Sequence, residues 1–442
     1  GDTNIVISLT GPEKEGLTYP TDEELLRDFM KAQQIPVEPY RETLSDEPLI
    51  PSLPAPGKIT ESKEDPLFGA TVLTLSNGIK VVLKHTDFKK DEIQMTATSP
   101  GGSTLFGNKD IDNLKVFNEV IELGGLGNFS ATDLGKMLAG KKVSCSTSLG
   151  LDSENVNGSS TPSDLKTLFE LIYLSFTAPR MDEEAYASFE NRMKAQLKNL
   201  ELNPMVAFSD SLTKAIYNNN PRAMRIDPAD FKNISYPRIM EMYKERFGDA
   251  SGFVFTFVGN IDTDSIRPLV EQYLATLPAN GKIEQGNPKE VPAIRKGDYV
   301  NRFKRQMETP KASVVNFYSG QMDYNLENIV TATMLKQVLD LIYTEKVRED
   351  EGGTYGVQTS ARISSFPEGQ TFLQAYFDTD PDKREKMNTI VRNELKRISD
   401  IGPTPEDFKK TQDNILKRHA ESLQENGYWL NTLDNYYYKG FD

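Results

Sequence analysis

The chain has 442 residues and a formal net charge of −14, because 51 Lys and Arg stand against 65 Asp and Glu. This length exceeds what one hydrophobic core supports, so we expect roughly two to four domains. The hydrophobic fraction of 37% is typical of a globular protein and excludes a disordered chain. The acidic balance excludes nucleic acid as an expected partner, since no basic surface is available for phosphates.

The cysteine count and the length of the apolar runs exclude further classes of protein. The one cysteine, Cys145, excludes an internal disulfide and a cysteine-rich zinc site. Apolar runs such as residues 171–176 are far shorter than the ~18 residues of a membrane-spanning helix, so we expect no membrane span. The chain begins without methionine or an apolar leader, and we therefore expect a piece of a longer polypeptide.

Residues 1–65 predict the end of a preceding unit followed by a linker. The apolar run 5–9 indicates a short strand, which we interpret as the closing strand of that preceding unit. A helix is predicted over residues 22–34. Four prolines at positions 48–56 then indicate an extended linker.

Residues 66–280 predict a first unit of mixed strands and helices. Apolar runs on both sides of Asn77-Gly78 predict a hairpin, because Asn-Gly is a strong tight-turn signal. Residues 281–297 are rich in Pro, Gly and Lys and predict a second linker.

Residues 298–442 repeat the element order of the first unit. The helix start at Pro162 has a counterpart at Pro381, and Pro179 has one at Pro403. This internal repeat predicts an α+β fold of two homologous units, each a mostly antiparallel β-sheet with helices packed on one face. The second unit lacks an equivalent of the first unit's closing strand, so we expect it to be truncated at its C-terminus.

The two histidines, His85 and His419, limit the chemistry of the chain. Neither has a His, Cys or carboxylate at ligand spacing, whereas catalytic zinc ordinarily takes three protein ligands. No Gly-x-Ser-x-Gly elbow is present to place a nucleophilic serine. We therefore interpret His85 as the end of a strand and His419 as part of a charged helix.

Three segments, residues 74–82, 116–120 and 347–357, carry a family resemblance. Together with the repeat, they resemble the pitrilysin/insulinase family of zinc metallopeptidases, over roughly residues 68–442. Long members of that family have four such units, which form two halves around a closed chamber, with His-x-x-Glu-His in the first unit. The resemblance implies that this chain is the C-terminal half.

The family's metal motif is altered in this sequence. Val116, Glu119 and Val120 stand where the motif has His, Glu and His, and Leu197 stands where the third ligand is expected. Val116 and Val120 share a helix face by their four-residue step, which indicates an apolar core. We therefore expect no metal bound by this chain, and the resemblance assigns zinc to the upstream half. Glu119 is expected to be a surface residue.

An arginine and a tyrosine seven residues apart form the predicted peptide site. A four-residue apolar step over residues 330–342 predicts a helix towards Arg348, Gly352 and Gly353 end it, and Tyr355 begins a strand. In the resembled family such an Arg and Tyr reach across the chamber to the peptide. The resemblance implies that Arg348, Tyr355, Gly352 and Gly353 bind substrate and that Tyr355 donates to the oxyanion. The alternative is that Arg348 only caps a helix and Tyr355 only packs.

The sequence thus predicts the substrate-binding half of a zinc-dependent metalloendopeptidase that is inactive alone. Its expected partners are a peptide substrate and the upstream half carrying the zinc motif, in the same polypeptide or a separate subunit. The resemblance implies the periplasm or cell envelope, with the cytoplasm as the alternative. The alternative function is a non-catalytic peptide-binding or scaffold subunit related to the family.

Overall fold

The computed structural model of the protein describes residues 5–11, 16, 18–36, 47–200, 202–349 and 356–440. They belong to two compact units, Gly1–Asp46 and Glu47–Asp442. In the smaller unit, helix α1 (Asp22–Gln33) confirms the predicted helix, and Thr21 and Glu24 form its capping box. The predicted strand at residues 5–9 is wrong. An apolar run becomes a strand only beside a pairing partner, and Val6 in this run is 94% exposed.

The larger unit contains a seven-stranded first sheet with the strand order β1-β2-β3-β7-β4-β6-β5. All neighbours are antiparallel except β3 and β7. The predicted hairpin at Asn77-Gly78 is confirmed, because Gly78 takes the left-handed φ of 85° that this turn requires. The sheet begins with β1, inside the segment 1–65 that we interpreted as linker. The strands are β1 (Ile59–Asp65), β2 (Ala70–Leu75), β3 (Lys80–His85), β4 (Ile93–Pro100), β5 (Val143–Leu149), β6 (Ser153–Ser160) and β7 (Val254–Gly259).

Helices cover the inner face of the first sheet and form the larger core. The two-residue alternation in β7 directs Phe255 and Phe257 into this core, and Phe257 stacks on Phe169 of α4 at 5.2 Å between ring centroids. Helix α4 contacts β5, β6 and α7, which explains why it is apolar on most sides. The helices are α2 (Ile111–Val120), α3 (Ala131–Met137), α4 (Leu165–Thr177), α5 (Glu183–Leu200), α6 (Pro204–Tyr217), α7 (Tyr236–Phe247) and α8 (Thr263–Leu269).

The second sheet has three antiparallel strands in the order β8-β10-β9. Its core joins Phe377 of β10 to Tyr343 of α9 and Val391 of α10, and the Tyr343 hydroxyl donates to the Val391 carbonyl at 3.1 Å. The elements are β8 (Ala312–Gln321), α9 (Leu326–Tyr343), β9 (Val357–Ser365), β10 (Glu368–Thr379), α10 (Arg384–Ile401), α11 (Pro405–Ser422) and α12 (Asn426–Lys439).

The second sheet repeats part of the first. Both contain a strand, a helix, a hairpin of two strands and then two long helices, and the order β4-β6-β5 corresponds to β8-β10-β9. The predicted α+β fold with two homologous units is confirmed.

Two helices cross from one half of the larger unit to the other. Leu433 of α12 is fully buried on the outer face of the first sheet, and Trp429 of α12 lies 4.4 Å from the Lys84 ammonium of β3. In the opposite direction, Phe208 of α6 packs 6.0 Å from the ring of Tyr376 in β10. Each sheet therefore depends on a helix from the other half. Of the helices in the described parts of the chain, none is long and apolar enough to cross a membrane.

Candidate functional site

Helix α2 lies where the resemblance places the family's metal motif. Val116 and Val120 are 1% and 0% exposed and belong to the core beneath the first sheet, whereas Glu119 is exposed. The four-residue step directs both valines to the same side of the helix, away from solvent. Their side chains contain no atom that can donate electrons to a metal ion.

The third ligand position is also apolar. Leu197 of α5 is 4% exposed in the same core, and Glu190, about two turns into α5, is paired with Lys194 at 2.5 Å. Among the described residues, no group of three or more His, Cys, Asp or Glu is arranged to hold a metal ion. The residues at the three positions do not fit zinc.

The two histidines lie in structural contacts. His85 is the last residue of β3, and its Nδ1 lies 2.8 Å from the carbonyl oxygen of Ile261. His419 lies in the last turn of α11, with its ring edge-on to Tyr428 at 5.7 Å between centroids. These contacts account for both side chains without a catalytic role.

Helix α9 carries the chain towards the predicted peptide site. Val338 and Ile342 are 3% and 4% exposed but Val330 is 40% exposed, so only the C-terminal part of the predicted apolar face is buried. The helix continues into a π-helical turn, Thr344–Glu349, in which Val347 is fully buried in the second core. Arg348 follows Val347 in this turn, and its side chain lies outside the described residues.

The remaining predicted site residues, Gly352, Gly353 and Tyr355, lie outside the described residues, and their roles stay predictions. The structure describes the residues that flank this segment on both sides. Val347 before the segment and Val357 at the start of β9 both belong to the second core. Two buried valines therefore anchor the ends of the segment that carries the predicted site.

A buried carboxylate that the sequence patterns did not predict is Glu154 in β6. Its side chain is 1% exposed, the Gly102 amide donates to its Oε1 at 2.9 Å, and Arg246 Nη1 lies 3.7 Å away. Burial raises the pKa of Glu154 to about 7, although the Gly102 and Arg246 contacts oppose that shift. The signal was present, since Glu154 is in phase with the buried Val156 along the strand.

Arg246 connects this carboxylate to the segment between the two sheets. Its guanidinium also donates to Glu284, and this hydrogen bond lowers the pKa of Glu284. Close by, the Asn287 amide donates to the Thr104 hydroxyl at 3.0 Å. One guanidinium thus contacts two carboxylates, of which Glu284 has a lowered pKa and Glu154 has a pKa raised to about 7 by burial.

Comparison with known families gives an assignment for much of the chain. Residues 233–415, from the end of the first unit to α11, match the peptidase M16 inactive domain. The predicted resemblance to the pitrilysin/insulinase family, which is the M16 family, is therefore confirmed.

Curated relatives of this chain are named zinc proteases. It is 24% identical over 446 residues to "Zinc protease PQQL-like" of Arabidopsis thaliana, covering 97% of this chain and 42% of that protein. It is 21% identical over 360 residues to "Probable zinc protease PqqL" of Escherichia coli (strain K12), covering 80% of this chain and 38% of that protein. The chain therefore spans less than half the length of these relatives.

Solved M16 structures share its fold. The periplasmic protease PqqL from Escherichia coli superposes with a TM-score of 0.76 at 18% identity, over 95% of this chain and 46% of that one. A mutant of the ferredoxin protease FusC, in complex with Arabidopsis ferredoxin, gives 0.73 at 17% identity, over 96% and 46%. A peptidase M16 inactive domain from Pseudomonas fluorescens gives 0.65 at 16% identity, over 84% and 88%. At these identities the likeness establishes the fold.

Proposed function

We propose that this chain is the C-terminal, substrate-binding half of a zinc-dependent metalloendopeptidase that hydrolyses peptides in a closed chamber. The observation that carries the proposal is an M16 fold in which Val116, Val120 and Leu197 fill the three ligand positions as buried core residues. A catalytic half, in the same polypeptide or in a separate subunit, then carries the zinc ligands and the general-base glutamate. This chain alone binds peptide and cleaves nothing.

The proposed contribution of this chain is two side chains from the stretch between α9 and β9. The guanidinium of Arg348 is suited to hold main-chain carbonyl oxygens of an extended peptide, because its N–H groups form a rigid fork. The phenol of Tyr355 donates a hydrogen bond to the oxyanion that develops on the scissile carbonyl. The catalytic half supplies the attacking water, activated by its zinc ion. We propose that Gly352 and Gly353 also contact the peptide, because a residue without a side chain lets another backbone approach closely.

The proposed location is the periplasm or cell envelope. Its support is the Escherichia coli relative, whose structure is described as a periplasmic protease. The single cysteine is compatible with this location and equally with the cytoplasm, which is the alternative.

Hydrolysis of a quenched fluorescent peptide tests the proposal. We expect no cleavage by this chain with zinc, and cleavage once the catalytic half is added, which a chelator then abolishes. If the mixture of the two halves binds the peptide but does not cleave it, the result would favour the scaffold function. Cleavage by this chain alone would contradict the proposal.

The role of Tyr355 has its own test in the assembled enzyme. Tyr355→Phe is expected to lower kcat by roughly 10- to 1000-fold with little change in KM, because the lost hydrogen bond forms only in the transition state. Tyr318→Phe is the matched control, since Tyr318 is a partly exposed tyrosine on β8. Equal turnover of the Tyr355 and Tyr318 variants would remove Tyr355 from the mechanism.

A further inference from the structure

The strand β5 lies at one margin of the first sheet, antiparallel to β6. In such a strand every second residue directs its N–H and C=O away from the neighbour. These unpaired groups form a template on which another extended chain can pair. Their partners therefore decide whether this margin is open to a peptide.

One outward residue of β5, Leu149, is bonded on both of its backbone groups by a single side chain. The Leu149 amide donates to Asn118 Oδ1 at 2.8 Å, and Asn118 Nδ2 donates to the Leu149 carbonyl at 3.3 Å. A carboxamide offers an acceptor and a donor in one plane, as a peptide group does. Asn118 thus takes the place that a residue of an added strand would occupy.

The preceding outward residue, Thr147, is bonded in a similar way. Its amide donates to Oε1 of Glu122 at 3.1 Å. Glu122 lies in the turn that follows α2, four residues after Asn118, so both side chains reach β5 from the same side. Two successive outward amides of β5 are therefore occupied by side chains of one segment.

We propose that Asn118 and Glu122 close the C-terminal end of the β5 margin, at Thr147 and Leu149, to strand addition, so that an extended peptide held by this half pairs elsewhere. This inference rests on the proposed function only for the presence of a peptide. A peptide strand entering at β5 would have to break three hydrogen bonds that are already made. That exchange weakens its binding by roughly 100-fold, at about tenfold for every one to two bonds.

Helix α2 and the turn that follows it contribute both to the core and to the margin of β5. Val116 and Val120 of α2 face the core, and Asn118, on another side of the same helix, faces β5. The segment that replaces the family's metal motif thus also carries the groups that occupy the strand margin.

Amide hydrogen exchange tests the closure itself, without any catalytic readout. Asn118→Ala is expected to speed exchange of the Leu149 amide at least tenfold, and Glu122→Ala to do so for Thr147. Glu119→Ala is the matched control, because Glu119 is an exposed acidic residue between them, and it should leave both amides unchanged. Unchanged exchange in the folded double variant would overturn the proposal. Asn118→Leu, which has nearly the same shape as Asn and neither acceptor nor donor, replaces Asn118→Ala if that variant fails to fold.

Peptide binding tests the consequence. The probe is a fluorescein-labelled copy of residues 153–160, the sequence of β6 that already pairs with β5. We expect the Asn118→Ala/Glu122→Ala variant to bind it at least tenfold more tightly than the wild type, with new amide protection at residues 143–149. Wild-type binding with the same protection would overturn the closure. Because no hydrolysis is measured, a failure here is distinct from a failure of the proposed peptidase role.

Discussion

The two copies of the repeat share a strand order, which is β4-β6-β5 in the first sheet and β8-β10-β9 in the second. They differ in how deeply neighbouring strands and helices bury them. In the first, β7 pairs with β4, and Ile111 at the start of α2 is 8% exposed. In the second, β8 lies at the margin of the described sheet, and Leu326 at the start of α9 is 72% exposed. The repeat therefore determines which strands pair, whereas the added strands and helices determine how deeply each copy is buried.

The largest effect is expected from a charge placed in the buried helix of the first copy. Val120→Asp should lower the free energy of unfolding by about 4 kcal/mol or more, because an unpaired carboxylate would enter an apolar core. Val330→Asp in α9 is the matched control, since Val330 is 40% exposed, and should cost less than about 1 kcal/mol. Urea unfolding measures both, and equal losses would mean that the two helices are equally buried.

A smaller effect is expected at the helices that cross between the halves. Leu433→Ala should cost about 3 kcal/mol, because Leu433 is fully buried between α12 and the first sheet. Phe208→Ala should cost less, since Phe208 is only half-buried beside Tyr376. Thermal unfolding of the two variants compares the outer faces directly. A larger loss for Phe208→Ala would reverse the order of burial that we assign to the two sheets.

The smallest of the three effects depends on pH. The pKa of Glu154 rises from its ordinary 4.5 to about 7 in the folded chain, so folding disfavours its ionised form. Its contribution to stability is complete below pH 4.5 and is lost as the pH rises through 7.

Replacement of this carboxyl by an amide should remove that loss. Glu154→Gln should be more stable than the wild type by about 2 kcal/mol at pH 8, with the difference shrinking towards pH 5. Unfolding free energies across this range provide the measurement, and Glu119→Gln is the exposed control. A difference between Glu154→Gln and the wild type that stays constant with pH would contradict the assignment.

Local patterns predicted much of the first copy. Asn77-Gly78 specified its hairpin, because the turn depends on those two residues alone. The four-residue step from Val116 to Val120 specified which face of α2 is buried. The same rule failed at Val330, because helical periodicity marks an apolar face but does not supply the element that covers it.

Contacts between segments that are far apart in the chain could not be predicted from the sequence. The pairing of β3 with β7 joins segments that are far apart in the chain, and nothing local in either strand specifies the other. The position of α12 on the first sheet likewise depends on which surface remains uncovered there. Glu154 was overlooked because charged residues are rarely buried, although its alternation with Val156 placed it inside.

Because α12 packs on the first sheet, that sheet cannot complete its packing until α12 has been synthesised. The outer face of the first sheet is made of residues that leave the ribosome long before Leu433, and Ala70, Val82 and Val258 have no apolar cover from α12 until it follows. Domains generally fold as units during synthesis, N-terminal first. Here the first sheet has to wait for one of the last helices of this chain, so a product terminated before residue 426 would expose that face to chaperones and proteases.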